Sequence, residues 1–179
     1  MNIGTILVPV DFSSCAMLLT RQAAGLAAKV GARVVVAHIA ELPQGLSRTA
    51  HLHPGGGDQD AASYLTEDTT RRLRPFVEVV QAAGVEASAL VRVGPVVQGI
   101  HKAAQEVGAD LLMIGTHGRS GFARLVLGSV AEAVARESSV PVMLVRREPR
   151  PECGRESCAW CSVDGRSPAE EQVAAETEG

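Results

Sequence analysis

The chain has 179 residues, 46% hydrophobic and 21% charged, the proportions of one globular α/β domain with a full core and an additional tail. A formal charge of −3 and an isoelectric point near 6.0 supply no basic field for a nucleic-acid backbone, so nucleic acid is not an expected partner. The amino terminus, MNIGTILVPVDFSS, lacks a basic leader and a cleavage site, and Cys15, Cys153, Cys158 and Cys161 do not spread through the chain as a secreted disulfide framework does. A cytoplasmic protein without a membrane anchor is the expectation.

Ile3–Val10 is a β-branched run that predicts a strand, followed by a short turn in which Ser13 or Ser14 can cap a helix over Cys15–Val30, closed by Gly31. Arg33–Ile39 (RVVVAHI) is a near-continuous apolar run, the signature of a strand buried on both faces of a parallel sheet. From Glu41 to about Asp60 the chain holds HLHPGGGDQD, which predicts a mobile loop. Asp60 or Ser63 can start a helix that reaches Ala83 and stops at Gly84, and Val85–Val93 predicts a third strand. Pro95 suits the first turn of a helix ending at Gly108. Ala109–Ile114 predicts a fourth strand, Gly128–Ser138 a fourth helix, and Val142–Arg146 a fifth strand. Cys15, among Ala, Met and Leu, reads as core packing.

Alternating strands and helices joined by right-handed crossovers build an open, mostly parallel α/β sheet covered by helices on both faces. Ligands of such sheets sit beyond the carboxyl ends of the strands, where strand order reverses. That rule directs attention to Pro9–Ser14, Ile39–Glu41 and Gly115–Gly128.

The last of these, GTHGRSGFARLVLGS, spends four glycines between a strand and a helix. It is neither GxxxxGK[ST] nor GxGxxG, so it is neither a P-loop nor a Rossmann fingerprint. What it offers is Arg119 and Arg124 between the glycines, and Gly128–Ser129 at a helix start. Free N–H groups there, with the Ser129 hydroxyl, suit a phosphate.

The spacing Gly115-x2-Gly118-x9-Gly128-Ser129 resembles the nucleotide-binding signature of the universal stress protein (UspA-like) family. The opening VPVDFS, the HI dipeptide ending the second strand and the closing PVMLV extend the likeness over about residues 1–148. The resemblance implies an open five-stranded parallel sheet of order 3-2-1-4-5, adenine nucleotide alpha hydrolase-like, that binds ATP with Mg²⁺ or Mn²⁺ and forms a homodimer through its fifth strand. AMP or a cyclic nucleotide would also suit such a site. Carried over by position, Pro9, Val10 and Asp11 border adenine and ribose, Asp11 reaching the ribose or a metal ion. Ile39 meets the adenine edge through its backbone, Gly115, His117, Gly118 and Arg119 border ribose and phosphates, and Gly128, Ser129 and Val130 hold phosphates. Plainer roles exist for the same residues: Asp11 could simply begin a turn, His117 could be solvated, and Ser129 with Glu132 could form a capping box.

Phosphoryl transfer needs a held metal, a base and charge compensation, and on the three loops only Asp11 and Glu41 are acidic. A nucleotide-dependent regulatory module in the stress response is therefore the first reading, and a slow ATPase or autophosphorylating phosphotransferase the alternative.

Residues 149–179 extend past the likeness as a second, partly disordered segment with Cys153-x4-Cys158-x2-Cys161. Three thiolates suit Zn²⁺ if His51 or His53 supplies a fourth ligand. A redox pair and an unstructured tail with reduced thiols are the alternatives, the redox motif normally opening a helix within a βαβ unit.

Overall fold

The computed structural model describes residues 2–13, 15–43, 45–52, 58–116 and 128–145. Along the chain run β1 (Thr5–Pro9), α1 (Ala16–Val30), β2 (Arg33–Ala40), β3 (His51–Leu52), β4 (Gln59–Asp60), α2 (Ala61–Ala82), β5 (Ala87–Val93), α3 (Val96–Val107), β6 (Leu111–Gly115), α4 (Ser129–Glu137) and β7 (Val142–Val145). Five of the strands form one sheet in the order β5-β2-β1-β6-β7, with every pairing parallel. Leaving out the small β3–β4 ribbon, this is the expected order 3-2-1-4-5.

The two faces of the sheet are separated by the period of the strand. Ile6, Val8, Val34, Val36 and Met113 point to one side and meet Leu73, Phe76 and Val80 of α2 and the alanine-rich face of α1. Leu7, Val35, Ala37, Leu112 and Ile114 point to the other and meet Ile100, Ala103, Ala131 and Val134 of α3 and α4. Ile6, Leu7, Val34, Leu73 and Leu112 are fully buried, each worth about 1.5–3 kcal/mol of transfer free energy. Because β1 and β2 are covered on both faces, their apolar runs show no alternation in sequence, as anticipated.

The helix ends follow local chemistry with two exceptions. Gly31 and Gly108 take left-handed φ of 73° and 61° and close α1 and α3, as the sequence predicts. Asp60 caps α2: its Oδ1 accepts the Ser63 N–H at 3.0 Å and its Oδ2 the Ser63 hydroxyl at 2.6 Å. Those bonds favour the ionised form, and they hold the Asp60 carboxyl below its ordinary value of 3.8. At α1, however, Ser13 is not the cap and Ser14 lies outside the described residues; Cys15 occupies the N-cap position with no side-chain cap, and the turn closes through the Ser13 carbonyl accepting from Ala16 N–H at 3.0 Å. Cys15 is thus half-buried at the helix entrance and not a core residue. At α4 the alternative reading of Ser129 and Glu132 as a capping box is not realised. Gly128 is the N-cap, Ser129 is the first helical residue, and Glu132 pairs with Arg136 one turn on.

The segment predicted as a mobile loop contains order. His51 pairs with Asp60 and Leu52 with Gln59 in an antiparallel ribbon, and His51 Nδ1 lies 2.8 Å from Asp58 Oδ1. Ala61 and Ala62 donate back to the carbonyls of Ala50 and Arg48, tying the ribbon to the start of α2.

At the amino ends of the central strands the sheet is clamped by side chains. Asp110 Oδ2 accepts the N–H groups of Gly4 and Thr5 at 2.9 and 3.0 Å, and its own N–H donates to the Thr5 carbonyl. Arg33 reaches Thr5 Oγ1 and the Val107 carbonyl, both at 3.0 Å. The opposite edge of the sheet is where the chain is shaped differently.

Candidate nucleotide site at the carboxyl edge of the sheet

Parallel pairing brings the carboxyl ends of β1, β2 and β6 to one edge, with Pro9 beside Ala37 and Leu7 beside Leu112. From β1 the chain builds outward through β2 to β5, then returns on the far side of β1 as β6. Strand order therefore reverses between β1 and β6, and the crevice there is the ligand position of an open α/β sheet. The turn after β1 and the segment after β6 form its two lips.

The first lip carries Asp11. Val10 still pairs with the sheet, donating to the Ala37 carbonyl at 2.8 Å, and its own carbonyl lies 2.6 Å from His38 Nδ1. Asp11 Oδ1 accepts the Ser13 N–H at 3.0 Å in an Asx turn, while no partner is present for Oδ2 among the described residues. Between them Phe12 has φ of 58°, the single non-glycine residue with positive φ among those described. That conformation costs about 1–2 kcal/mol for a residue with a Cβ. Packing holds it: Arg72 Cζ lies 4.0 Å over the Phe12 ring, and the His38 and Phe76 rings lie 4.4 and 5.9 Å away.

The second lip begins at Gly115 and Thr116 and resumes at Gly128. Gly128 N–H donates to the Thr116 carbonyl at 2.9 Å, so the two residues flanking 117–127 are joined directly. A Cβ on Gly128 would stand 3.1 Å from that carbonyl oxygen, which explains a glycine at the close approach. With Gly128 as an N-cap that makes no side-chain hydrogen bond, the N–H groups of Ser129, Val130 and Ala131 have no acceptor within the helix. Ser129 is exposed beside them. A phosphate placed at this end would meet backbone donors and a hydroxyl, at the positive end of the α4 dipole.

Ile39, from β2, is the third described element at this edge. Its side chain is turned into the sheet face, 6% exposed, against α3. Gly99 of α3 allows this approach, since a Cβ there would lie 2.6 Å from Ile39 Cγ2. Sequence reading assigned no role to Gly99, although a glycine inside an otherwise helical pattern signals close packing. It also missed Phe12, His38 and Arg72, because left-handed phenylalanine is a product of tertiary contacts.

Of the residues predicted for the site, the structure brings Pro9, Val10, Asp11, Ile39, Gly115, Gly128, Ser129 and Val130 to the same edge. His117, Gly118 and Arg119 lie outside the described residues, as do Cys153, Cys158, Cys161 and His53. Of the metal ligands expected in the tail reading, His51 is described, and it faces Asp58. Two clefts among the described residues, of about 420 and 150 Å³, lie along β5 around Arg48 and not in the crevice. As a metal ligand, Asp11 is a hard oxygen donor suited to Mg²⁺ or Mn²⁺ shared with substrate phosphates, which is the usual way such ions are held.

A profile of the universal stress protein family matches residues 2–146. The chain belongs to the universal stress protein family. Universal stress protein MJ0577 of Methanocaldococcus jannaschii is 23% identical over 157 residues, which covers 80% of this chain and 94% of that protein. Among solved structures, a universal stress protein in complex with cAMP aligns with TM-score 0.59 and 27% identity over 82% of this chain and 98% of its own. The universal stress protein from Archaeoglobus fulgidus in complex with dAMP aligns with TM-score 0.56 and 27% identity, over 80% and 98% respectively. Like these relatives, this universal stress protein has the five-stranded parallel sheet with helices on both faces. No helix among the described residues is long and apolar enough to cross a membrane.

Proposed function

We propose that this universal stress protein binds an adenine nucleotide, ATP with Mg²⁺ or Mn²⁺, in the crevice between β1 and β6 and acts as a nucleotide-dependent regulatory module of the stress response. One observation carries the reading: the two lips of the strand-order switch point present complementary chemistry. One lip offers the Asp11 carboxylate, with Oδ1 engaged and Oδ2 without a partner among the described residues, and the other the N–H groups of Ser129, Val130 and Ala131, which have no acceptor within the helix. The glycine signature Gly115-x2-Gly118-x9-Gly128-Ser129 supports ATP in particular, and relatives in complex with cAMP and dAMP support an adenine ligand. In this arrangement the Asp11 oxygen would reach the ribose or the metal ion, and a metal held by phosphate oxygens would neutralise phosphate charge. Ser129 Oγ and the α4 amides hold the phosphate end, and the strand ends at Pro9, Val10 and Ile39 border the base.

The reading includes a homodimer through the edge strand β7, a cytoplasmic location, and Zn²⁺ on Cys153, Cys158 and Cys161. Zinc content of the purified full chain, lost when the three cysteines are replaced by serine, is the expected result for the last.

Titration calorimetry with ATP and Mg²⁺ tests the site. Replacing Asp11 by Ala and replacing Ser129 by Ala are each expected to weaken binding about tenfold or more, the cost of one hydrogen bond to a charged partner. Unchanged affinity in both would remove the site from this crevice. Phosphate release measured on the same samples separates the regulatory module from the slow ATPase.

A further inference from the structure

We infer that Phe12 is a positioning residue for Asp11, and that the wedge formed by Phe12, Arg72 and His38 sets how strongly the site distinguishes a ribose from a deoxyribose. The inference rests on the adenine-nucleotide reading above and adds to it a support for the β1–α1 turn that lies in α2.

Phenylalanine gains nothing from a left-handed backbone, so its φ of 58° persists only because the surroundings fix it more strongly than the local preference opposes it. The surroundings come from separate elements. Arg72 and Phe76, four residues apart on one face of α2, put a guanidinium 4.0 Å over the ring and a second ring 5.9 Å from it. His38, on β2, packs at 4.4 Å while its Nδ1 holds the Val10 carbonyl at 2.6 Å. Residues 10 and 12 are thus both anchored, and Asp11 is the residue between them. The Asx bond from Ser13 N–H to Asp11 Oδ1, at 3.0 Å, spans Phe12. Were Phe12 to relax to a right-handed φ, Ser13 N–H would swing away from Asp11 and the carboxylate would lose its orientation. A carboxylate with one oxygen fixed by a backbone donor presents its other oxygen in one direction. That is what reading a single sugar hydroxyl requires.

The test measures dissociation constants for ATP, 2′-deoxyATP and 3′-deoxyATP, each with Mg²⁺, on the full chain, on Phe12→Gly and on Arg72→Ala. Glycine accepts the left-handed φ without strain but removes the ring; Arg72, with its side chain 53% exposed, can be truncated without opening the core. For the unmodified chain, ATP is expected to bind about tenfold more tightly than at least one deoxy analogue. Phe12→Gly is expected to bring that ratio to within about twofold of one while affinity for the deoxy analogues is kept, and Arg72→Ala to lower it about threefold. A general structural role would weaken all three nucleotides alike and leave the ratio intact, and that result overturns the inference. So does a ratio of one in the unmodified chain, or an undiminished ratio in both variants. Should Phe12→Gly fail to fold, the ratio for Arg72→Ala decides. An unmodified chain that binds none of the nucleotides fails the nucleotide reading itself, a result distinct from variants that bind with the ratio unchanged.

Discussion

A methyl group added at Gly99 and one added at Gly128 would meet different neighbours, and the difference fixes what each substitution does. At Gly99 the new Cβ falls 2.6 Å from Ile39 Cγ2, inside a packed face, so Ile39 must move. Gly99→Ala is expected to cost about 1–3 kcal/mol through overpacking, less the helix propensity alanine restores, read as a lower urea midpoint at unchanged m-value. At Gly128 the Cβ falls 3.1 Å from a backbone oxygen, and the φ of −58° suits alanine, so the strain goes into the 2.9 Å bond to Thr116. Gly128→Ala is therefore expected to change stability little and to weaken nucleotide binding by displacing the start of α4. Gly128 was legible in sequence because it belongs to a spaced set of glycines before a helix. Gly99 and Phe12 were not: one is explained by the side chain of Ile39 and the other by two rings and a guanidinium, all distant along the chain.

Among the elements, helix starts and sheet membership divide the same way. Asp60 was one of the two starts the sequence offered for α2, with Ser63, and the structure selects it; its bonds to Ser63 carry a pH consequence. Its folded carboxyl lies below the ordinary 3.8, so its contribution to stability is fully present above that value and is lost as pH falls through the lowered folded value. Asp60→Asn is expected to lower the melting temperature at neutral pH and to flatten its decline in acid, measured by circular dichroism across pH. The β3–β4 ribbon was not legible: two-residue strands leave no alternation to read, and the glycines between them predict only freedom. The capping-box alternative at Ser129 is not realised, for a related reason. Sequence spacing gives the distance between Ser129 and Glu132 but not which residue begins the helix, and the bond from Gly128 to Thr116 begins it one residue earlier. At the opposite edge, Asp110→Ala removes the acceptor for two backbone N–H groups and is expected to cost about 1–2 kcal/mol, with nucleotide affinity unchanged.

For the whole molecule, the alternation of elements was sufficient for the fold class, and the resemblance supplied the strand order. The amino edge of the sheet is fastened by Asp110 and Arg33, whereas at the carboxyl edge the first N–H groups of α4 have no acceptor within the helix and one Asp11 oxygen has no partner among the described residues. The lateral edge at β7 exposes Met143 and Leu144 at 41% and 40%, large apolar side chains on a strand with one side unpaired among the described residues. Pairing with a second copy would cover both. Sedimentation velocity is expected to find a dimer, and Met143→Lys with Leu144→Glu a monomer that still binds nucleotide through its own crevice. The most direct test of the central claim is the small-molecule content of the protein purified without added ligand, released by denaturation and followed by titration of the stripped protein with ATP and Mg²⁺. About one adenine nucleotide per chain, carried through purification or taken up on titration, is the predicted result. A protein that releases none and takes up none would contradict the account.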